Sequence, residues 1–466
     1  MTGLLIVAEA VLLGVLILLA EALRPRVRGR VDFLRASSAV YFICFVVLPI
    51  YLQLDDMRGL RGGVWAWVLK RPFDDEGFVY AGAIAFIGYA CLLVGIHLAG
   101  GLPHRNEGVG EARAGANVVM RGSREVLLVS LGIGFAGLVC LVVYTLNIGG
   151  LGALILQAAA FRGTNPPVVT PYAFLKTLSP LVMGGALLIY GLRTRYWLAG
   201  RRKRYGLVFV TFLVGSFAIL FHQAGRFPLA VFVFTFPLAA IIRRDRLRLR
   251  VVLASALLVV GLLLFGKQLF EATQSRESLT SRWESVGEDA RVGIRMLMVE
   301  FAFPTITAAN AMLEVPSEVP FRWFYDFPLA VEYLVPQRLF GISHPATVSM
   351  VNSTRFATVG TIPVDLVSLG YYSAGVPGVV LLLLAFGVLL AMLERALPPS
   401  ADPVDCVLRA VWILFVALRV MYGDPQLIWF GGLHLFAIAA LLPVAHALVR
   451  RRGPNPHPHA SVPVHL

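Results

Sequence analysis

Charge is what this chain has least of. Asp, Glu, Lys and Arg make up 15% of its 466 residues, against 58% hydrophobic, and mean hydropathy is +0.76. A soluble domain of this length needs a larger charged surface, so the soluble classes are excluded. Cysteine is equally scarce. The four present (Cys44, Cys91, Cys140, Cys406) lie in or at the ends of apolar runs, without CxxC spacing. They read as small core residues, which excludes a disulfide framework and a thiolate metal site. No P-loop, GxGxxG, HExxH or Ser-His-Asp arrangement stands out, so ATP hydrolysis and zinc hydrolysis have no support and no cofactor is expected. A positive n-region is also missing. The run "TGLLIVAEAVLLGVLILLAEAL" precedes "RPRVRGR", which reads as an uncleaved first span with its N-terminus outside.

What is present is a series of apolar runs long enough to cross a bilayer. Eleven are expected, over 3–23, 33–54, 78–99, 125–147, 173–192, 206–222, 227–242, 251–268, 373–394, 404–422 and 428–448. The fold class is therefore an all-α polytopic integral membrane protein, one membrane domain over 1–466. The net charge of +14 does not signal nucleic acid, because its arginines and lysines cluster in short segments between spans. The clusters "RPRVRGR", "RTRYWLAGRRKR", "RRDRLRLR" and "RRR" all fall on one side of the alternation. The positive-inside rule makes that side cytoplasmic, together with the C-terminus. The tail over 453–466 reads as disordered.

The segment "FHQAGRFPLAVFVF" holds a charge amid apolar residues. From Gly206 to Ile242 there are 37 residues, and Arg226 is the only charged one. One helix of that length would measure about 55 Å against a hydrocarbon core of about 30 Å. The chain is thus expected to turn back near Gly225 and Pro228, with basic clusters at both ends of the hairpin and Arg226 at the outer face. Three further outer segments follow. The segment 55–77 holds "LDDMRG" and "FDDEG". The segment 148–172, "IGGLGALILQAAAFRGTNPPVVTPY", is an apolar stretch closed by Arg162 and a proline-rich turn. The loop 269–372 is large enough for a small helical subdomain, and its seven Arg and eleven Asp or Glu balance at −4.

Each candidate residue has a bland reading beside a functional one. Arg226 can snorkel to headgroups, or bind an anionic group such as a lipid-linked phosphate. His222, one turn earlier, can face the same ligand or be a satisfied polar residue at a helix end. Arg162 can anchor at the interface or reach a headgroup-level ligand. Arg291 and Arg295 share a helix face and can clamp a diphosphate, and Arg355 adds to the outer cations, although pairing with nearby acids is the ordinary outcome. For acid–base work the outer candidates are Glu300, Asp326, His344 and Asp365. Asp365 precedes the last large span and reads as a helix cap, or as a base raised by partial desolvation. The pairs Asp55–Asp56 and Asp74–Asp75 can coordinate a cation or be solvated charges.

Three of these stretches carry a resemblance. "SFAILFHQAGRFPL", "IGGLGALILQAAAFRG" and "GTIPVDLVSLGYYSAGVPGVVLLLLAFGVLL" are similar to the arginine turn, the glycine-started outer segment and the closing element of bacterial oligosaccharide repeat-unit polymerases, the Wzy or O-antigen polymerase group. The resemblance covers roughly 145–395. The turn here is "AGRF", where many members have a serine before the arginine and a glycine after it. The acidic residue of the closing stretch is met only by Asp365. The resemblance implies a membrane glycosyltransferase of the C type, metal-independent, acting at the outer face of a bacterial inner membrane in O-antigen, capsule or exopolysaccharide synthesis. Its substrate would be an undecaprenyl-diphosphate-linked oligosaccharide, contacted by Arg226 and Arg162, with Tyr371 of the tyrosine-marked closing element beside it. Asp365, His344 or Glu300 would take the acceptor proton. Expected partners are the bilayer, a chain-length regulator and a flippase. An O-antigen-ligase-like transferase and a polysaccharide transporter are the alternatives.

Overall fold

The computed structural model describes residues 2–24, 31–54, 75–100, 122–156, 171–199, 205–223, 226–244, 253–254, 257, 261, 301–336, 340–341, 343–354 and 362–452. Among the described residues all regular structure is helical. A backbone in hydrocarbon has no water to bond, and a helix satisfies its amides and carbonyls within one segment. Nine helices there are long and apolar enough to cross a membrane. They are α1 (Thr2–Leu23), α2 (Phe33–Leu54), α3 (Glu76–Leu98), α4 (Ser123–Asn147), α5 (Phe174–Leu198), α6 (Gly206–Gln223), α7 (Phe227–Arg244, with Arg226 as its first helical residue), α9 (Leu366–Ala396) and α11 (Pro425–Val449). Two shorter helices complete the bundle, α8 (Phe303–Glu314) and α10 (Pro403–Ala417).

Nine of the eleven expected spans have a counterpart among these helices; the other two stand as follows. The run 251–268 lies outside the described residues except for four positions, which fall at 253, 254, 257 and 261. The run 404–422 is not one continuous helix. Its α10 has 15 residues, about 22 Å at 1.5 Å per residue, and then becomes the 3-10 turn Leu418–Val420. The sequence periodicity did not see that stop, because the residues past it (Val420, Met421, Tyr422) are as apolar as those before it. The tail over 453–466 lies outside the described residues.

Helix ends gather as the alternation of spans requires. At one end of the bundle Arg24 pairs with Asp32 at 2.8 Å, Arg35 Nε donates to Glu21 at 2.7 Å, and Arg195 Nε donates to Asp402 at 2.9 Å. The buried Arg409–Glu394 pair and the His446–Glu125 contact lie at the same helix ends. These are the ends that adjoin the basic segments. Within the bundle small residues let backbones approach, as when Ser130 Oγ donates to the Gly185 carbonyl at 2.9 Å between α4 and α5.

Two features shape the opposite end. First, α9 is broken: Ala374 leaves helical geometry and Gly375 sits at φ +63°, ψ −145°, a conformation natural only to glycine. The segment Leu366–Ser373 folds back on the rest of α9, so that a Cβ on Gly378 would lie 2.1 Å from the Gly370 carbonyl oxygen. The carbonyls of Tyr372 and Ser373 accept from the Arg322 and Trp323 amides at 2.9 and 2.8 Å. Second, α8, read from the sequence as part of an outer loop, packs into the bundle. Thr305 Oγ1 donates to the Cys44 carbonyl at 2.6 Å, inside the π-helical turn Ile43–Val47 of α2. Such π turns interrupt the regular ladder and leave carbonyls for outside donors.

Candidate functional site

At the end opposite the basic segments, three stretches remote in sequence meet around Gly423. The Gly423 amide donates to the Val364 carbonyl at 2.7 Å. A Cβ there would lie 2.7 Å from the Asp365 carbonyl carbon, so only glycine admits the contact. Val364 N in turn donates to Ser349 Oγ at 3.3 Å, which ties in the helix Val348–Ser353. Two aspartates thereby become neighbours, each capping a helix. Asp365 caps α9 and Asp424 caps α11.

Asp365 is fully buried. Its Oδ1 accepts from the Val367 and Ser368 amides at 2.8 and 3.0 Å, and its Oδ2 accepts from the Ser368 hydroxyl. Burial pushes its carboxyl up to about 7, against the opposing pull of those hydrogen bonds. The cap reading is the one this geometry satisfies, and the raised carboxyl is also present.

Asp424 is 1% exposed. Its Oδ1 accepts from the Gln426 amide at 2.8 Å; Ser349 adjoins the carboxylate, but no donor reaches the buried Oδ2 with hydrogen-bond geometry. Burial pushes this carboxyl up; Ser349 and the Gln426 amide oppose the shift and Asp326 adds to it. Five residues earlier Arg419 lies against the Phe415 ring, its guanidinium carbon 4.5 Å from the centroid. Its Nε donates to the Phe415 carbonyl at 3.1 Å, and its Nη1 is buried without a partner.

An aromatic cluster joins this turn to the arginine hairpin. The Tyr422 ring lies 5.5 Å from Phe227 and 5.3 Å from Phe303, and Phe227 lies 5.1 Å from Phe301. Arg226 is the residue before Phe227, and Glu300 the residue before Phe301. Arg226 is thus the first residue of α7, and its side chain lies outside what the structure describes.

The other sequence candidates divide as follows. His222 is fully buried; its Nδ1 contacts the Leu154 carbonyl at 2.9 Å and its Nε2 the Tyr144 hydroxyl at 3.0 Å. A carbonyl only accepts, so Nδ1 carries the proton and Tyr144 donates to Nε2. His344 stacks on Tyr333 with centroids 4.6 Å apart, in the segment where Arg322 holds Asp326 through two hydrogen bonds of 2.6 and 2.8 Å. Tyr371 is half-buried on the folded-back part of α9. Arg162, Arg291, Arg295, Arg355 and Glu300 lie outside the described residues, as do Asp55, Asp56 and Asp74. Among the described residues no group of three His, Cys, Asp or Glu side chains could hold a metal ion.

Arg419, Tyr422 and Asp424 were missed from the sequence. The signal was there: two opposite charges five residues apart, bracketing the end of an apolar run that holds two arginines. An intramembrane charge is a functional candidate by default.

Fold and composition together define an all-helical, multi-pass membrane protein. Searches against family profiles, curated proteins and solved structures returned no match.

Proposed function

We propose that this protein polymerises undecaprenyl-diphosphate-linked oligosaccharide repeat units at the outer face of a bacterial inner membrane. The observation that carries the reading is the convergence at Tyr422. The helix start bearing Arg226, the segment following Glu300 and the turn bearing the capping Asp424 meet there through four aromatic rings, and Gly423 of that turn packs against Asp365. That combination suits glycosyl transfer from a lipid diphosphate. The diphosphate leaves with negative charge that a guanidinium stabilises, and a carboxylate takes the proton of the attacking hydroxyl. Neither step requires a metal. In this reading the chain crosses the membrane eleven times in a C-type glycosyltransferase layout, with 251–268 and the α10 segment completing the count. Its N-terminus is outside, its C-terminus cytoplasmic, and a flippase and a chain-length regulator act beside it.

The test is a deletion strain whose lipid-linked saccharides are separated by size. The polymerase reading expects single repeat units on the lipid and loss of the polymer ladder. Accumulation of long lipid-linked chains would instead make the protein a ligase, and an unchanged ladder would remove it from polymer synthesis.

A further inference from the structure

A part-buried cation and a buried carboxylate within electrostatic reach of one another normally pair. Arg419 and Asp424 interact in this way, yet no ion pair joins them; Arg419 is part-buried overall, but its Nη1, like Asp424 Oδ2, is a buried atom without a hydrogen bond. An unpaired charge is costly to bury, so a polar group that accepts from the arginine and donates to the aspartate would stabilise both. The site is recessed. Helix α10 starts at the basic end, where Asp402 holds Arg195, and Arg419 follows its 15 residues. At 1.5 Å per residue that is about 24 Å along the helix, short of the roughly 30 Å needed to reach the far interface. Between the two charges in sequence is Tyr422, in ring contact with Phe227 and hence beside the helix start of Arg226.

Asp424 also differs from its neighbour in what it has to spare. Both oxygens of Asp365 accept bonds from its own helix, whereas Asp424 commits only Oδ1 to its cap. Ser349, Asp326 and Tyr333 face Asp424 from the adjoining elements.

Resting on the polymerase reading, we propose that Arg419 and Asp424 form the floor of the substrate site. Arg419 holds an anionic oxygen of the lipid diphosphate, and Asp424 is the base for the acceptor hydroxyl. The Asp424 carboxylate takes the hydroxyl proton as the sugar oxygen bonds to the anomeric carbon of the donor. The bond from that carbon to the diphosphate oxygen breaks, and the electron pair leaves on the diphosphate facing Arg419. The proton on Asp424 then returns to water or to the departing diphosphate.

The test uses the full chain in two assays: binding of undecaprenyl diphosphate to protein in lipid nanodiscs, and the polymer ladder in cells. Asn and Ser both cap helices, so Asp424→Asn and Asp424→Ser keep the fold while losing the carboxylate. Both are expected to bind the probe as the wild type does while polymer output falls by about 100-fold or more. Arg419→Gln is expected to weaken probe binding by at least ~10-fold. A wild-type ladder from Asp424→Asn would reduce Asp424 to a cap and overturn its role. Unchanged probe binding by Arg419→Gln would overturn the role of Arg419. Both of those results leave the polymerase reading standing. Failure of the wild-type protein to bind the probe, with an unchanged ladder on deletion, would overturn the reading and the proposal together.

Discussion

Two buried side chains toward the end of the bundle opposite the basic segments show how local surroundings decide what a residue can do. Asp365 is pushed from 3.8 to about 7 on folding. Between those values the native state holds a proton that the unfolded chain has released. Stability therefore falls as pH rises from about 4 to about 7 and levels off above, since the slope follows protons bound unfolded minus folded. Thermal unfolding of wild type against Asp365→Asn over that range checks this, and the Asn variant is expected to show the flatter profile. His222 has both ring nitrogens engaged, tying α6 to α4 and to the segment Leu151–Leu156. His222→Leu leaves the Tyr144 hydroxyl and the Leu154 carbonyl without those partners, at a cost of about 1–3 kcal/mol. A lower melting temperature than wild type, in detergent, is the expected readout. The sequence left this histidine between ligand and helix-end residue, because its partners lie 78 and 68 positions away.

At the scale of elements, the break in α9 and the stop in α10 build the site. Gly375→Ala forces a side chain into φ +63°, ψ −145°, a strain of about 1–3 kcal/mol. It is expected to loosen the fold-back that holds Asp365 against Gly423, seen as faster protease cutting or labelling near 364–375. At the other end the Arg409–Glu394 pair is almost completely buried. Arg409→Met alone strands the Glu394 carboxylate and costs about 3–5 kcal/mol, whereas adding Glu394→Leu restores most of it. Comparison of single and double variants by thermal unfolding checks that coupling. The apolar runs themselves were legible in the sequence, since length and hydropathy decide them. The break at Ala374–Gly375 was not. Its glycine reads as an ordinary small residue in a span until the Arg322 and Trp323 amides are seen on the freed carbonyls. Helix α8 was hidden in the same way. Its docking depends on Thr305 meeting a π turn 261 positions away.

For the whole molecule, the gathering of Arg24, Arg35, Arg195, Arg395 and Arg409 at one set of helix ends agrees with the basic segments read from the sequence. Reporter fusions after Leu198 and Ala396 are expected on one side of the membrane, and fusions after Asn147 and Glu314 on the other. The site was only half legible from sequence. Arg226 stood out as a lone charge in 37 residues, whereas the charges of the Arg419–Asp424 turn, present in the sequence at the end of an apolar run, were joined to it only by the contact of Tyr422 with Phe227. The most direct test of the central claim is the polymer ladder of a strain carrying Arg226→Ala at wild-type protein level. The account predicts a lost ladder with single repeat units accumulating on the lipid; an unchanged ladder, in length and amount, would contradict it.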